Sequence, residues 1–234
     1  YMDPNGNITE TEQNDLGNVT KREVFTNRDI NPNDPNSFVT LYEYNGSGLV
    51  TKATYPELNS VENTYDEANP DPLAQGNLLQ SKRIADSLRG GGAGYNQIIS
   101  SYTYEPNFNQ VISATDAKGN TTNYSIDSLN GNLLQTIYPP VYLPAIPSTV
   151  QNITTSRTYN SFGQIETTTD SEGVITKFEY YPAGDPLFGY LHYVTRDFGG
   201  PNEVRTETKY NETGNVTERG DGFNRFTVYT VNEL

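Results

Sequence analysis

One short pattern recurs along this chain with fixed internal spacing, and no other feature narrows its fold as much. Three segments align without gaps: residues 115–124, 169–178 and 220–229. In each, an Asp (Asp116, Asp170 or Asp221) is followed eight residues later by an aromatic, Tyr124, Phe178 or Tyr229. Three residues after the Asp stands Gly119, Gly173 or Asn224, the residue types that tolerate a positive φ. An Asp side chain accepts hydrogen bonds from the amides just after it, and a left-handed Gly or Asn closes the turn. Thr and an aromatic then alternate along the returning segment. That combination predicts a β-hairpin corner.

A second corner lies upstream of the first. Residues 159–165 and 210–216 both read Tyr, Asn, two residues, Gly, a polar residue and an aliphatic, which places Gly163 and Gly214 at the closing position. Residues 44–50 match, and residues 104–111 carry one residue more. Shorter Gly-Asn forms recur at Gly6, Gly17, Gly76 and Gly131. Corners therefore come about every 10–12 residues, the spacing of short strands in an all-β protein.

Composition agrees. The chain of 234 residues holds 18 Tyr, 20 Gly and 14 Pro, with Thr and Asn abundant. Tyr and Thr suit strands; Asn, Gly and Pro suit turns. There is no Cys and one His, His192, which excludes a disulfide framework, a thiol nucleophile and a His-cluster metal site. A Ser-His-Asp triad would have to use His192. A net charge of −14 speaks against nucleic acid as a partner. No apolar run is long enough to span a membrane, and the opening residues, Tyr1-Met2-Asp3-Pro4, do not read as a signal peptide.

The two-corner unit resembles the YD repeat, also known as the RHS repeat: Tyr-Asn-x-x-Gly-x-aliphatic, then Thr-Asp-x-x-Gly-x-x-Thr-x-Tyr. The resemblance covers nearly the whole chain and is densest over residues 102–127, 158–180 and 209–231. It implies an all-β fold: an antiparallel β-hairpin repeat strip, part of a spiralling hollow β-shell. Members include bacterial Rhs toxins, cocoon-forming subunits of insecticidal toxin complexes and teneurins. The shell encloses a C-terminal cargo or toxin, or mediates surface contact. The resemblance thus implies a secreted or cell-surface location and, as partners, further repeats of one larger chain and a cargo. Asp3-Pro4-Asn5-Gly6 echoes the DP-x-G signature of the family's closing core but lacks its neighbours, so it reads as an ordinary turn.

Residues 1–234 are read as a single repeat array with irregular insertions near 27–36, 69–72, 89–94 and 138–147. The last is apolar and Pro-rich, unsuited to a central strand and expected to pack on a sheet face. Leu78 to Leu88 has some helical propensity, but it follows a Gly-Asn corner and is read as starting in a strand.

Individual sites favour architecture over chemistry. Asp116, Gly119, Asp170, Gly173, Asp221, Asn224, Gly163 and Gly214 are expected to build turns. Tyr104, Tyr124, Tyr159, Phe178, Tyr210 and Tyr229 recur once per hairpin and are expected to stack as an aromatic ladder across strands. Asp29-x-Asn31-x-Asn33 opens like a calcium loop but lacks its Gly and its twelfth-position Glu. The oxygen-rich group Asp66, Glu67, Asn69 and Asp71 reads as a surface loop. Arg219-Gly220-Asp221 spells an integrin tripeptide, but Asp221 is accounted for as a turn residue. Eight Asn-x-Ser/Thr sequons, at Asn7, Asn18, Asn45, Asn120, Asn123, Asn152, Asn211 and Asn215, follow mostly from the corner chemistry. His192 is expected to share a strand face with Tyr190 as a structural side chain. No catalysis, metal or cofactor is expected. The alternatives are a glycan-binding or adhesion module, in which exposed Tyr ladders stack on sugars or meet cell-surface receptors, and an assembling extracellular β-filament; a carbohydrate-active enzyme is the weakest reading.

Overall fold

The computed structural model describes residues 1–4, 6–25, 37–86, 97–142, 150–151, 153–223 and 225–230. Asn224, the insertions at 27–36 and 89–94, the calcium-like loop at Asp29, and residues 143–147 of the Pro-rich insertion lie outside them. The chain divides into two compact units, Tyr1–Thr121 and Thr122–Leu234.

The first unit runs through β1 (Ile8–Gln13), β2 (Val19–Phe25), β3 (Phe38–Tyr44), β4 (Val50–Thr54), β5 (Ser60–Tyr65), β6 (Leu78–Ile84), β7 (Gln97–Tyr104) and β8 (Val111–Thr115). The second follows with β9 (Thr121–Ile126), β10 (Leu133–Ile137), β11 (Val141–Tyr142), β12 (Val150–Gln151), β13 (Thr154–Tyr159), β14 (Ile165–Thr169), β15 (Ile175–Tyr180), β16 (Leu191–Arg196), β17 (Val204–Tyr210), β18 (Val216–Gly220) and β19 (Phe226–Val228). No helix occurs among the described residues. In the first unit β1 to β8 pair in sequence, each antiparallel to the next. In the second, β9, β10 and β13 to β19 do the same. The fold is therefore an all-β meander of hairpins. Leu78 begins β6, so the strand reading of that stretch holds and the helical propensity is overridden. Within the Pro-rich insertion, Val141 and Tyr142 pair with Gln151 and Val150 as a separate two-stranded ladder, with Tyr138 and Val141 exposed.

A meander has two rims, and its connections alternate between them. One rim, here the tyrosine rim, carries the corners at 14–18, 45–49, 66–77 and 105–110 in the first unit. In the second unit the equivalent rim carries those at 127–132, 160–164, 181–190 and 211–215. The other, the aspartate rim, carries the corners at 3–7, 55–59, 116–120, 170–174, 197–203 and 221–225. The insertion at 69–72 falls in a tyrosine-rim connection.

Little of either unit is deeply buried. Among the described residues, Phe25, Ala53 and Ala74 are the buried apolar ones, and Thr40, Ser60, Asp86, Thr136 and Thr195 are buried polar ones. Most strand residues are half-buried, as expected of a sheet whose long Tyr, Thr, Lys and Glu side chains cover one another laterally. Side chains alternate between faces. The sheets carry ion pairs across strands, Lys21 with Glu12 and Lys52 and Lys82 with Glu62 in the first unit and Lys209 with Glu218 in the second, and along single strands, Lys21 with Glu23 and Lys209 with Glu207.

Candidate functional site: the tyrosine clasp and its corners

The two kinds of corner distinguished in the sequence are one structure. At Asp116 the main-chain amide donates to the Asn120 carbonyl at 2.9 Å, and Gly119 N–H donates back to the Asp116 carbonyl at 2.9 Å. Asn160 with Gln164 and Gly163, Asp170 with Val174 and Gly173, and Asn211 with Asn215 and Gly214 repeat both bonds at 2.9–3.1 Å. The turn side chain braces the loop from within. Asp116 Oδ1 accepts from Lys118 and Asn120, Asp170 Oδ1 from Glu172 and Val174, Asn160 Oδ1 from Phe162 and Gln164, and Asn211 Oδ1 from Thr213 and Asn215. Gly119, Gly163, Gly173 and Gly214 have φ between 79 and 86°, so the closing position is left-handed. This is a type I turn followed by a left-handed residue, a common three-residue hairpin loop. Leu58 and Asn109 take that conformation without being Gly, at φ 62 and 56°.

Asp116, Asp221 and Glu105 are stabilised as anions. The side-chain amide of Asn120 and the amides of Asn120 and Lys118 hold Asp116 below its usual range. The amides of Phe223 and Arg225 do so for Asp221, together with its 2.7 Å ion pair to Arg225. Asp221 is thereby engaged in its turn, not presented as part of an Arg-Gly-Asp loop. Glu105 fills the same role in its longer corner; burial pushes its pKa up, but the amides of Gln110, Asn107 and Phe108 outweigh it. In the 66–77 corner, Asn69 donates to Asp66 at 2.7 Å and Asp71 N–H to Asn69 at 2.9 Å.

The rims differ in a way the sequence does not display. Each of the eight tyrosine-rim hairpins skips one residue on its return strand: Thr20, Thr51, Leu79, Ile112, Leu134, Glu166, His192 and Thr217. The ladders joined through the aspartate rim keep unbroken register. A bulge withdraws a main-chain carbonyl from the ladder, and that carbonyl needs another donor. In six of the eight a tyrosine supplies it. Tyr44 Oη donates to the Val19 carbonyl at 2.7 Å, Tyr65 to Val50 at 3.0 Å and Tyr104 to Leu78 at 2.9 Å in the first unit. In the second, Tyr159 donates to Leu133 at 2.9 Å, Tyr180 to Ile165 at 2.8 Å and Tyr210 to Leu191 at 3.0 Å. Every acceptor is the first residue of a return strand, just before the bulge. Every donor is the last residue of the following strand. Burial raises the pKa of Tyr104 and Tyr180, which keeps both hydroxyls protonated as donors. Gln13 and Ile126 hold the donor position in the two other strands and have no hydroxyl.

The expected aromatic ladder is therefore not the arrangement found. Tyr104, Tyr159 and Tyr210 are clasp donors. Tyr124 and Phe178 sit two residues before a donor position, and Tyr229 is exposed beyond β19. Ring contacts among the described residues gather instead around the 181–190 corner: Phe162 with Phe188, Tyr181 with His192 and Tyr210, Tyr190 with Tyr210, and His192 with Tyr193. The reason is that a phenol two strands from its equivalent is better placed to satisfy a bare carbonyl than to stack. His192 also differs from expectation. As a bulge residue it points the same way as its neighbour Tyr193, not with Tyr190, and is stacked between Tyr181 at 4.1 Å and Tyr193 at 3.8 Å. Its Nε2 lies 3.1 Å from Glu207 Oε1, which also accepts from Tyr193 Oη at 3.0 Å.

Side-chain amides tie neighbouring corners along the tyrosine rim. Asn45 donates to Glu67 at 2.7 Å, Asn109 to Asn77 at 2.9 Å and Gln164 to the Gly189 carbonyl at 2.8 Å. The Tyr190 ring lies so close over Gly214 that a Cβ there would collide with it. The chemistry of this arrangement is the joining of one hairpin to the next.

A run of bulged hairpins, six of them joined to the preceding one by a tyrosine clasp, defines a repetitive β-wall. No protein-family model matches the chain, and no curated protein matches it. Solved structures do. A crystal structure of TcdB2-TccC3 without its hypervariable C-terminal region is similar over 97% of this chain and 12% of that one, with a TM-score of 0.63 and 16% identity. A crystal structure of TcdB2-TccC3-Cdc42 matches over 96% of this chain and 13% of that one, with a TM-score of 0.58 and 14% identity. The Photorhabdus luminescens Tc holotoxin pore matches over 99% and 14%, with a TM-score of 0.54 and 14% identity. The likeness is one of fold, and the chain spans only 12–14% of the length of those chains.

Proposed function

We propose that this chain is a stretch of YD-repeat wall, part of a hollow β-shell in a secreted or surface-exposed assembly that encloses a polypeptide cargo. The observation that carries the reading is the clasp. A unit that bonds one hairpin to the one before it through a backbone carbonyl can be added repeatedly and independently of the residues on either face. That is the property a long wall needs. The fold likeness to toxin-complex chains over nearly the whole of this chain supports it. In this reading the partners are further repeats and the enclosed segment, and no turnover is assigned to any residue. The faces carry paired charges and the turns carry bound carboxylates, which suits a large acidic object that must stay soluble.

The test is electron cryo-microscopy of the native polypeptide from its source, with its mass read on a denaturing gel. The reading expects a closed hollow particle, a polypeptide far heavier than 26.0 kDa, and an internal segment that protease reaches only after the particle is opened. A 26 kDa polypeptide forming open strips or filaments would overturn enclosure and favour the filament reading.

A further inference from the structure

The tyrosine rim of the second unit carries a notch whose chemistry is unused by the wall. Phe162 and Phe188, at the tips of neighbouring corners, meet edge to face at 4.9 Å yet remain 60% and 44% exposed. Both tips are fixed. Phe162 N–H donates to Asn160 Oδ1 at 3.0 Å, and Phe188 N–H donates to the Asp185 carbonyl at 3.0 Å. The 2.8 Å bond from Gln164 to Gly189 holds the two corners together. Below the rings opens a space of about 310 Å³, lined also by Tyr181, Glu166, Lys177 and Glu179. Lys177 is paired with Glu179, and Arg205 pairs with the same carboxylate. Glu166 is the bulge residue of its hairpin, exposed, and forms no ion pair among the described residues. Two fixed exposed phenyl rings beside a carboxylate that has no ion-pair partner among the described residues form a site for a cation carried on an apolar stem.

We infer that the Phe162–Phe188 notch docks a lysine or arginine side chain of a partner polypeptide, with the rings against its stem and charge and Glu166 as its counter-ion. Charge complementarity selects this occupant: the chain carries a net charge of −14, and within the notch Glu166 is the carboxylate left without an ion-pair partner among the described residues. A second copy of the same rim would bring like charge. The rings are already ordered, so docking loses little side-chain entropy. The site goes beyond the enclosure reading and stands whether or not the wall closes.

The probe is a short Trp-tagged peptide of alternating Leu and Lys, titrated into the intact protein; the chain has no Trp of its own to interfere. A matched peptide with Glu for Lys is the control. The Lys peptide should bind, weaken as salt rises, and lose about tenfold in affinity with F162A/F188A and about fivefold with E166Q. The Glu peptide should not bind. The E166Q variant touches no hydrogen bond of the wall, so its effect is separable from misfolding, and both variants should keep the wild-type melting temperature within about 2 °C. Equal binding of the two peptides, equal binding by wild type and E166Q, or no binding of the Lys peptide at low salt would each overturn the inference.

Discussion

The Tyr104 hydroxyl donates to the main-chain carbonyl of Leu78 at 2.9 Å, across 26 residues of sequence. Leu78 opens a return strand, and the residue after it, Leu79, is the bulge that removes that strand from register. The two features need each other. Without the bulge the carbonyl would belong to the ladder; without the phenol it would be half-buried and bare. The same pair of features recurs at Tyr44, Tyr65, Tyr159, Tyr180 and Tyr210, so the clasp is a property of the repeat and not of one site.

Removing only the hydroxyl isolates this bond. Tyr104→Phe should destabilise the first unit by about 1 kcal/mol, the net value of a hydrogen bond whose acceptor is left unsatisfied. Tyr124 is the control: its hydroxyl makes no hydrogen bond among the described residues, and Tyr124→Phe should lie within about 0.5 kcal/mol of wild type. Urea denaturation of both variants measures the difference. Equal effects would mean that the ring, and not the clasp, carries the stabilisation.

The left-handed corner position is tested in the same way. Gly173 has φ 86° with open space where a Cβ would sit, so Gly173→Ala meets no clash and is penalised by backbone conformation alone. The expected loss is about 1–2 kcal/mol. Gly46 has open space too, but its φ is not positive, and Gly46→Ala should be neutral or stabilise by up to about 1 kcal/mol through the unfolded chain. Opposite signs in thermal melts are the expected result; two losses of the same size would remove the conformational explanation.

The corners were legible because their chemistry is local. An Asp or Asn with a Gly three residues on leaves few alternatives, and Asp116, Asp170 and Asn211 all brace their loops from within. The clasp was not legible. Period-two alternation places Tyr104 and Tyr159 on a face but cannot say what their hydroxyls reach, because the acceptors lie 26 residues away. The bulge leaves no compositional mark: Thr, Leu, Ile, Glu and His all occupy it. His192 shows the cost. Counting by twos pairs it with Tyr190, whereas one skipped residue aligns it with Tyr193. The contacts between rim corners, such as Asn109 with Asn77, depend on which strands lie side by side and have no local signal.

The acid side of the stability curve should report the turn carboxylates. Asp116 and Asp221 are held below the usual value of 3.8 by hydrogen bonds present only in the folded turn. A carboxyl whose pKa is lowered on folding contributes stability that is complete above its unfolded value and is lost as pH falls through its folded value. Melting temperature should therefore fall between about pH 5 and about pH 2. In the double variant D116N/D221N that slope should be shallower, because Asn accepts the same amides, as it does at Asn160 and Asn211, without titrating. An unchanged slope would assign the acid sensitivity to other groups.

One buried group works against the fold. Arg157 Nη1, on β13, is shielded from solvent and has no hydrogen-bond partner among the described residues. A desolvated donor without an acceptor is a cost, so replacing the guanidinium while keeping the stem's bulk should help. Arg157→Met is expected to stabilise the second unit by about 1 kcal/mol. Arg205→Met is the contrast. That side chain pairs with Glu179 at 3.1 Å and lies 3.7 Å over the Tyr193 ring, half exposed, so its loss should destabilise by about 0.5–1 kcal/mol. Urea titrations at one protein concentration measure both. Opposite shifts in the midpoint at constant slope are expected; a loss at Arg157 as large as that at Arg205 would mean that the guanidinium has an acceptor in solution and belongs to the bonded wall after all.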